Sequence, residues 1–165
     1  MPITPYHLGP SGLIGYVFRK WLDFPVFVLA NVIVDVEVLL VNYFNLGWPY
    51  HRYAHTIIFG ALIGLAWGLF AYLIKPVLKF GMNVIRINYT PQFKKMLYSG
   101  VLGVWLHVII DSIYHYDPKP FWPIMKNFLW RIIYQHQVKL ICLICLGVFV
   151  VLYFVPTFKQ AWKKR

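Results

Sequence analysis

Acidic side chains are scarce in this 165-residue chain: Asp and Glu together number five, against sixteen Lys and Arg. Charge of either sign is thin, at 13% of residues, while 60% are hydrophobic and the mean hydropathy is +0.62. That balance excludes an ordinary soluble domain and predicts an integral membrane protein. A net charge of +11 would point to nucleic acid in a soluble chain. Here the basic residues cluster between apolar segments and near the C-terminus, so membrane orientation and anionic headgroups account for them. Membrane lipids are the expected partners, and no nucleic acid is. Cysteine is nearly absent: Cys142 and Cys145 lie in an apolar run without the electropositive setting of a reactive thiol, which predicts burial. Repeats and low-complexity tracts are missing. The N-terminus also lacks the basic region and small-residue cleavage site of a removable signal peptide.

What the chain has instead is long apolar runs. A hydrocarbon core of about 30 Å needs roughly 20 mostly apolar residues per helix. Segments 24–46, 54–75, 96–116 and 138–155 meet that need. The expected fold is an all-α integral membrane protein, a single membrane-embedded domain over 1–165 with four transmembrane helices. The apolar piece at 11–18 is too short to span and is stopped by Arg19 and Lys20, so residues 1–20 are expected to hold a short re-entrant helix. Residues 76–95 read as a basic connection. Segment 124–137, "IMKNFLWRIIYQHQ", places Phe128, Leu129, Ile132 and Ile133 at helical spacing opposite Lys126, Arg131 and Gln135. That pattern predicts an amphipathic helix in the interface. Eleven of the sixteen Lys and Arg fall on one side of this topology, together with the C-terminus. The positive-inside rule makes that side cytoplasmic and turns loops 47–53 and 117–137 outward.

Polar residues interrupt the apolar runs at few places. Asp35 and Glu37 lie near the middle of the first span, His55 opens the second, and His107 and Asp111 lie in the third. A carboxylate in hydrocarbon costs roughly 3 kcal/mol even on lenient scales, so such groups face a bundle interior with a partner. No Lys or Arg lies at comparable depth; the available partners are histidines, and a bound cation would satisfy both residue types. His107, Asp111 and His115 stand at i, i+4 and i+8 and therefore stack along one helix face. Counted from the inner ends, His107 and Asp35 rise about 18 Å and 16 Å, and a re-entrant helix lifts His7 to a similar level. A lone histidine in a span is ordinarily a packing residue. Six convergent groups (His7, Asp35, His55, His107, Asp111 and His115) point to a metal site, with structural polar packing as the other reading. Asp35 and Glu37 are about 200° apart around the helix, which makes one of them an outer-shell or structural group. Asp23, beside Arg19 and Lys20, reads as interfacial, and Asp117, next to Pro118, as part of the exit turn.

Imidazole and carboxylate donors without thiolate suit Zn²⁺, and also Mn²⁺ or Fe²⁺. Such an ion with open positions acidifies bound water near neutral pH. His51 is a candidate general acid, because imidazole titrates near working pH. Arg52, Lys119 and Arg131 could bind phosphate or simply anchor at headgroups.

"MPITPYHLGPSGLIG" at 1–15, "HRYAHT" at 51–56 and "GVLGVWLHVIIDSIYHYDPKPFWP" at 100–123 resemble the YdjM-like family of predicted inner-membrane metal-dependent hydrolases. The resemblance implies a bacterial-type inner membrane and hydrolytic chemistry. More distantly, the order His7, Asp35, His55, His107, Asp111, His115 is similar to that of zinc-dependent phospholipase C and the related single-strand nucleases. That likeness implies one metal on Asp35, His55, His107 and Asp111, with Asp111 bridging to a second held partly by His7, and His115 as a ligand of the remaining metal. The chain departs from it in starting with Met1 rather than Trp and in having Leu140 four residues after His136. One or two ions are therefore expected. The expected function is cleavage of a phosphoester in a lipid or lipid-linked substrate, with Asp111 and His51 in catalytic roles. A non-enzymatic metal-binding scaffold or a small transporter is the alternative.

Overall fold

The computed structural model describes residues 6–162, with side chains through residue 155. The start of the N-terminal motif (1–5) and the basic residues 163–165 lie outside the described residues. Six α-helices occur among the described residues, and no strand: α1 (Leu8–Val17), α2 (Phe24–Tyr43), α3 (Ile57–Leu73), α4 (Lys75–Val84), α5 (Phe93–Tyr114) and α6 (Gln135–Trp162). A 3-10 turn, Tyr53–His55, precedes α3. Three helices, α2, α5 and α6, are long and apolar enough to cross a membrane. The remaining apolar helix, α3, is continued by α4 after a bend of 79°.

Helix starts follow from local chemistry. Asp23 caps α2 by accepting from the Val26 N–H at 3.4 Å, with Pro25 in the first turn where no N–H is needed. Thr56 caps α3 through the Phe59 N–H at 3.2 Å. Pro76 sits in the first turn of α4, where the chain bends.

Small residues set the packing. Gly60, Gly64 and Gly68 recur every fourth residue on α3, and a Cβ at Gly64 would come within 2.6 Å of the Val101 Cα. At Gly68 it would come within 2.7 Å of the Met96 carbonyl oxygen. The backbones of α3 and α5 therefore meet directly, as small residues permit between helices that have no hydrophobic drive in lipid. Gly103 does the same for α5 against Phe27 and Ala30 of α2, and Gly9 and Gly12 bring α1 against Cys142 and Phe149 of α6. Val26, Ala30, Val34, Val104 and Val108 fill the space where α2, α3 and α5 meet, each fully buried. Cys142 is buried within α6 and Cys145 half-buried, both as free thiols.

Two segments depart from the sequence expectation. Residues 124–134 are not an amphipathic helix; they form turns. The Asn127 amide donates to the carbonyls of Ser112 (2.8 Å) and His115 (3.1 Å), and the Arg131 N–H donates to the Ile113 carbonyl (3.2 Å). The segment thereby satisfies the carbonyls left open at the end of α5, and these long-range bonds outweigh the local helical pattern. The amphipathic helix lies instead at α4, within what read as a basic connection, where Leu78 and Met82 are buried one turn apart and Val77, Lys79 and Phe80 are exposed.

Candidate metal centre

Four segments deliver the site: the start of α1, the middle of α2, the turn before α3, and the last two turns of α5. From α5, His107 and Asp111 come side by side one turn apart, both wholly buried. His107 Nε2 lies 3.1 Å from Asp111 Oδ2 and 3.3 Å from Asp35 Oδ1 of α2. His55, from the 3-10 turn, places Nε2 at 3.6 Å from Asp111 Oδ2 and 3.9 Å from Asp35 Oδ1. One donor atom from each of Asp35, His55, His107 and Asp111 lies within 4.8 Å of the other three. This buried cluster could hold a metal ion.

Asp111 has a second face. Its Oδ1 lies 3.1 Å from His7 Nε2, while Oδ2 turns toward His55 and His107. The His7 ring stacks on that of His107 with centroids 4.3 Å apart and planes 22° from parallel. Asp111 is thus placed between two groups of imidazoles, as a bridging carboxylate is.

Close approach here is not hydrogen bonding. Neither oxygen of Asp111, neither ring nitrogen of His107, nor Nε2 of His55 has a hydrogen-bond partner among the described residues. At 3.1 Å the distance between His107 Nε2 and Asp111 Oδ2 suffices for a hydrogen bond, so it is the angle that fails. Each unpaired buried polar atom costs about 1–3 kcal/mol, and five together weigh heavily on the 5–15 kcal/mol net stability of a typical domain. A cation on the Oδ2 side of Asp111 would take up that oxygen with His107 Nε2 and His55 Nε2, and the oxygen-and-imidazole donor set suits a borderline divalent ion.

A second layer orients the first. Glu37 accepts from the backbone N–H groups of Arg52 (2.8 Å) and Ala54 (2.9 Å), and its Oε2 lies 2.9 Å from His55 Nδ1. With Nδ1 donating to that carboxylate, the lone pair of Nε2 is directed at the cluster, the usual carboxylate–histidine arrangement behind a metal. Of the Asp35/Glu37 pair, Asp35 thus faces the cluster and Glu37 lies behind His55.

His51 repeats the device. Its Nδ1 lies 2.9 Å from Asp117 Oδ2, and the same oxygen accepts from the backbone N–H groups of Tyr50 and His51, each at 3.0 Å. Burial pushes the Asp117 carboxyl up, but these bonds to His51 outweigh it and hold the group at about 2. The far nitrogen of His51, Nε2, then lies 3.5 Å from Asp111 Oδ2. His115 does not join the four-residue cluster. It stands just past the end of α5, its ring 4.4 Å from that of His51, and forms with His51 and Asp117 a second group able to hold an ion.

Asp117, read from sequence as part of the exit turn, is therefore the residue at the site that sequence reasoning missed. Its signal was available: it lies two residues beyond His115, in a chain with few carboxylates to place. Asp23, read from its flanks as interfacial, is buried and caps α2: its N–H donates to Ser99 Oγ at 2.7 Å, and the Tyr89 hydroxyl lies 3.0 Å from each carboxylate oxygen.

Two cavities adjoin the centre. One of about 440 Å³ is walled by His51, Asp117, Arg52, Lys119, Trp48 and Trp122. Another of about 520 Å³ runs between α2 and α3 and reaches Glu37 and Ala54. Arg131 lines neither; it lies by His136 and Lys139.

Helices apolar enough to cross a membrane, folded around a buried His/Asp cluster able to hold a metal, define the class of this protein. No family model, curated protein or solved structure matches the chain.

Proposed function

We propose that the chain is a membrane-embedded, metal-dependent hydrolase of the YdjM-like kind, acting on a phosphoester of a lipid or lipid-linked substrate. One observation carries the reading. Donor atoms of Asp35, His55, His107, Asp111 and His7 converge from four segments at 3.1–3.9 Å, yet those of His55, His107 and Asp111 lack hydrogen-bond partners. In this reading α2, α3, α5 and α6 are four spans, α1 is re-entrant, the C-terminus is cytoplasmic and the centre faces the outer side of an inner membrane. Asp35, His55, His107 and Asp111 would hold one Zn²⁺, with Mn²⁺ or Fe²⁺ as substitutes, and Asp111 with His7 would reach toward a second. When bound, the ion supplies an acidified water and polarises a phosphoryl oxygen. The protein's own groups do the rest. Glu37 orients His55, Asp117 orients His51, and His51 delivers a proton to the leaving oxygen from Nε2.

The test is metal analysis of purified wild type and Asp111→Asn, with assays of phospholipid and lipid-diphosphate cleavage. Wild type should carry stoichiometric Zn, Mn or Fe and turn over, and Asp111→Asn should lose both. A wild type without stoichiometric metal would sink the reading. Metal without any turnover would favour the scaffold or small transporter.

A further inference from the structure

The two cavities beside the centre share a wall residue, Tyr53. They differ in character. The cavity walled by His51 and Asp117 carries two cations, Arg52 and Lys119, and its one carboxylate, Asp117, is already engaged by three donors on a single oxygen. Trp48 and Trp122 add the amphipathic aromatic surface found at headgroup level. Its electrostatic complement is an anion.

The α2–α3 cavity is apolar, lined by Val36, Leu40, Leu62 and Ile63, with Glu37 its one charged lining residue. Leu40 and Leu62 are 50% and 58% exposed, so the groove opens sideways onto the surface that lipid would cover. Along α2 it runs from Ile33 to Val41, a rise of about 12 Å, a little under half of a hydrocarbon core. A groove that begins at an anion-complementary cavity and descends one leaflet deep has the shape of a lipid.

We infer that the two cavities form one bipartite site for an anionic phospholipid: one acyl chain lies in the α2–α3 groove, the phosphate headgroup lies between Arg52 and Lys119, and Tyr53 marks the boundary. The inference rests on the hydrolase reading for the fate of the bound lipid, since the headgroup linkage then falls beside His51. Occupancy itself does not depend on turnover.

The test is photo-crosslinking of the full chain in phosphatidylcholine vesicles. These are doped with either phosphatidylglycerol or phosphatidylcholine carrying a diazirine on one acyl chain, and adducts are mapped by mass spectrometry. Adducts on 33–41 and 59–63 should favour phosphatidylglycerol by roughly thirtyfold, the effect expected of two basic residues at the headgroup at about 1 kcal/mol each. Lys119→Gln should cut that ratio to roughly fivefold, the share of the one cation left, and Leu40→Trp with Leu62→Trp should empty the groove while the ratio elsewhere stays put. Equal labelling by the two lipids, or the same preference on the outer face of α6 at Leu143 and Val151, would mean annular contact only and overturn the site. Failure of the hydrolase reading is separable: it shows as absent turnover with the labelling preference intact.

Discussion

His51 and Asp117 lie 66 residues apart, yet Nδ1 of one meets Oδ2 of the other at 2.9 Å. Two backbone N–H groups from the Tyr50–His51 peptides converge on the same oxygen. The carboxylate therefore fixes both the ring and the loop that carries it, and the opposite nitrogen is turned toward Asp111. Glu37 and His55 are related in the same way on the other side of the cluster.

In the proposed hydrolase, Asp117→Asn should lower kcat by about 10–100-fold, the usual effect of removing an orienting carboxylate. Metal bound by Asp35, His55, His107 and Asp111 should be retained, because Asp117 is not among them. Kinetics and metal content measured on the same preparation decide this. Loss of metal in proportion to activity would assign Asp117 to the ion and not to His51. Glu37→Gln should behave oppositely, weakening metal affinity about 10–100-fold through His55.

Asp23 predicts a pH dependence of stability away from the centre. Burial raises its carboxyl to about 6, against the lowering influence of Tyr89, the Val26 N–H and Lys95. A carboxyl raised on folding binds its proton more tightly in the native state. Its contribution is fully present below about 3.8 and is lost as pH rises through about 6. The thermal midpoint in detergent should fall between pH 5 and pH 7 in wild type, by the equivalent of at most about 3 kcal/mol. Asp23→Asn keeps an acceptor for Tyr89 and Val26, and should flatten that fall. An unchanged slope in the variant would remove Asp23 as its source.

Gly64→Ala and Gly81→Ala make a paired test of the packing. At Gly64 the new Cβ meets the backbone of Gly100 and Val101, which cannot move aside, and the cost should be about 1–3 kcal/mol. At Gly81 nothing lies within 4 Å, and relief of the glycine penalty inside α4 should stabilise by about 0.5–1 kcal/mol. Thermal unfolding of the two variants checks both signs. An innocuous Gly64→Ala would refute the direct backbone contact of α3 and α5.

Much of this molecule is legible without its structure, and the reason is periodicity. The apolar runs around 24–46, 96–116 and 138–155 overlap the three helices long enough to cross a membrane, α2, α5 and α6, and 54–75 holds the shorter α3, because long greasy stretches leave the backbone few other ways to satisfy itself. His107 and Asp111 were bound to share a face once they stood four apart on a helix. The glycines at 60, 64 and 68 recur every fourth residue, but only the structure shows that they bring α3 against α5. What the tertiary structure alone decided is which distant groups answer one another. Asp117 finds His51, Glu37 finds His55, and His7 finds the far oxygen of Asp111. The same holds for 124–134, whose helical pattern yields to the open carbonyls at the end of α5. Local spacing determines which face a side chain takes. Pairing across 18 to 104 residues depends on how the helices are brought together, and that is set by close glycine contacts and buried polar groups acting at once.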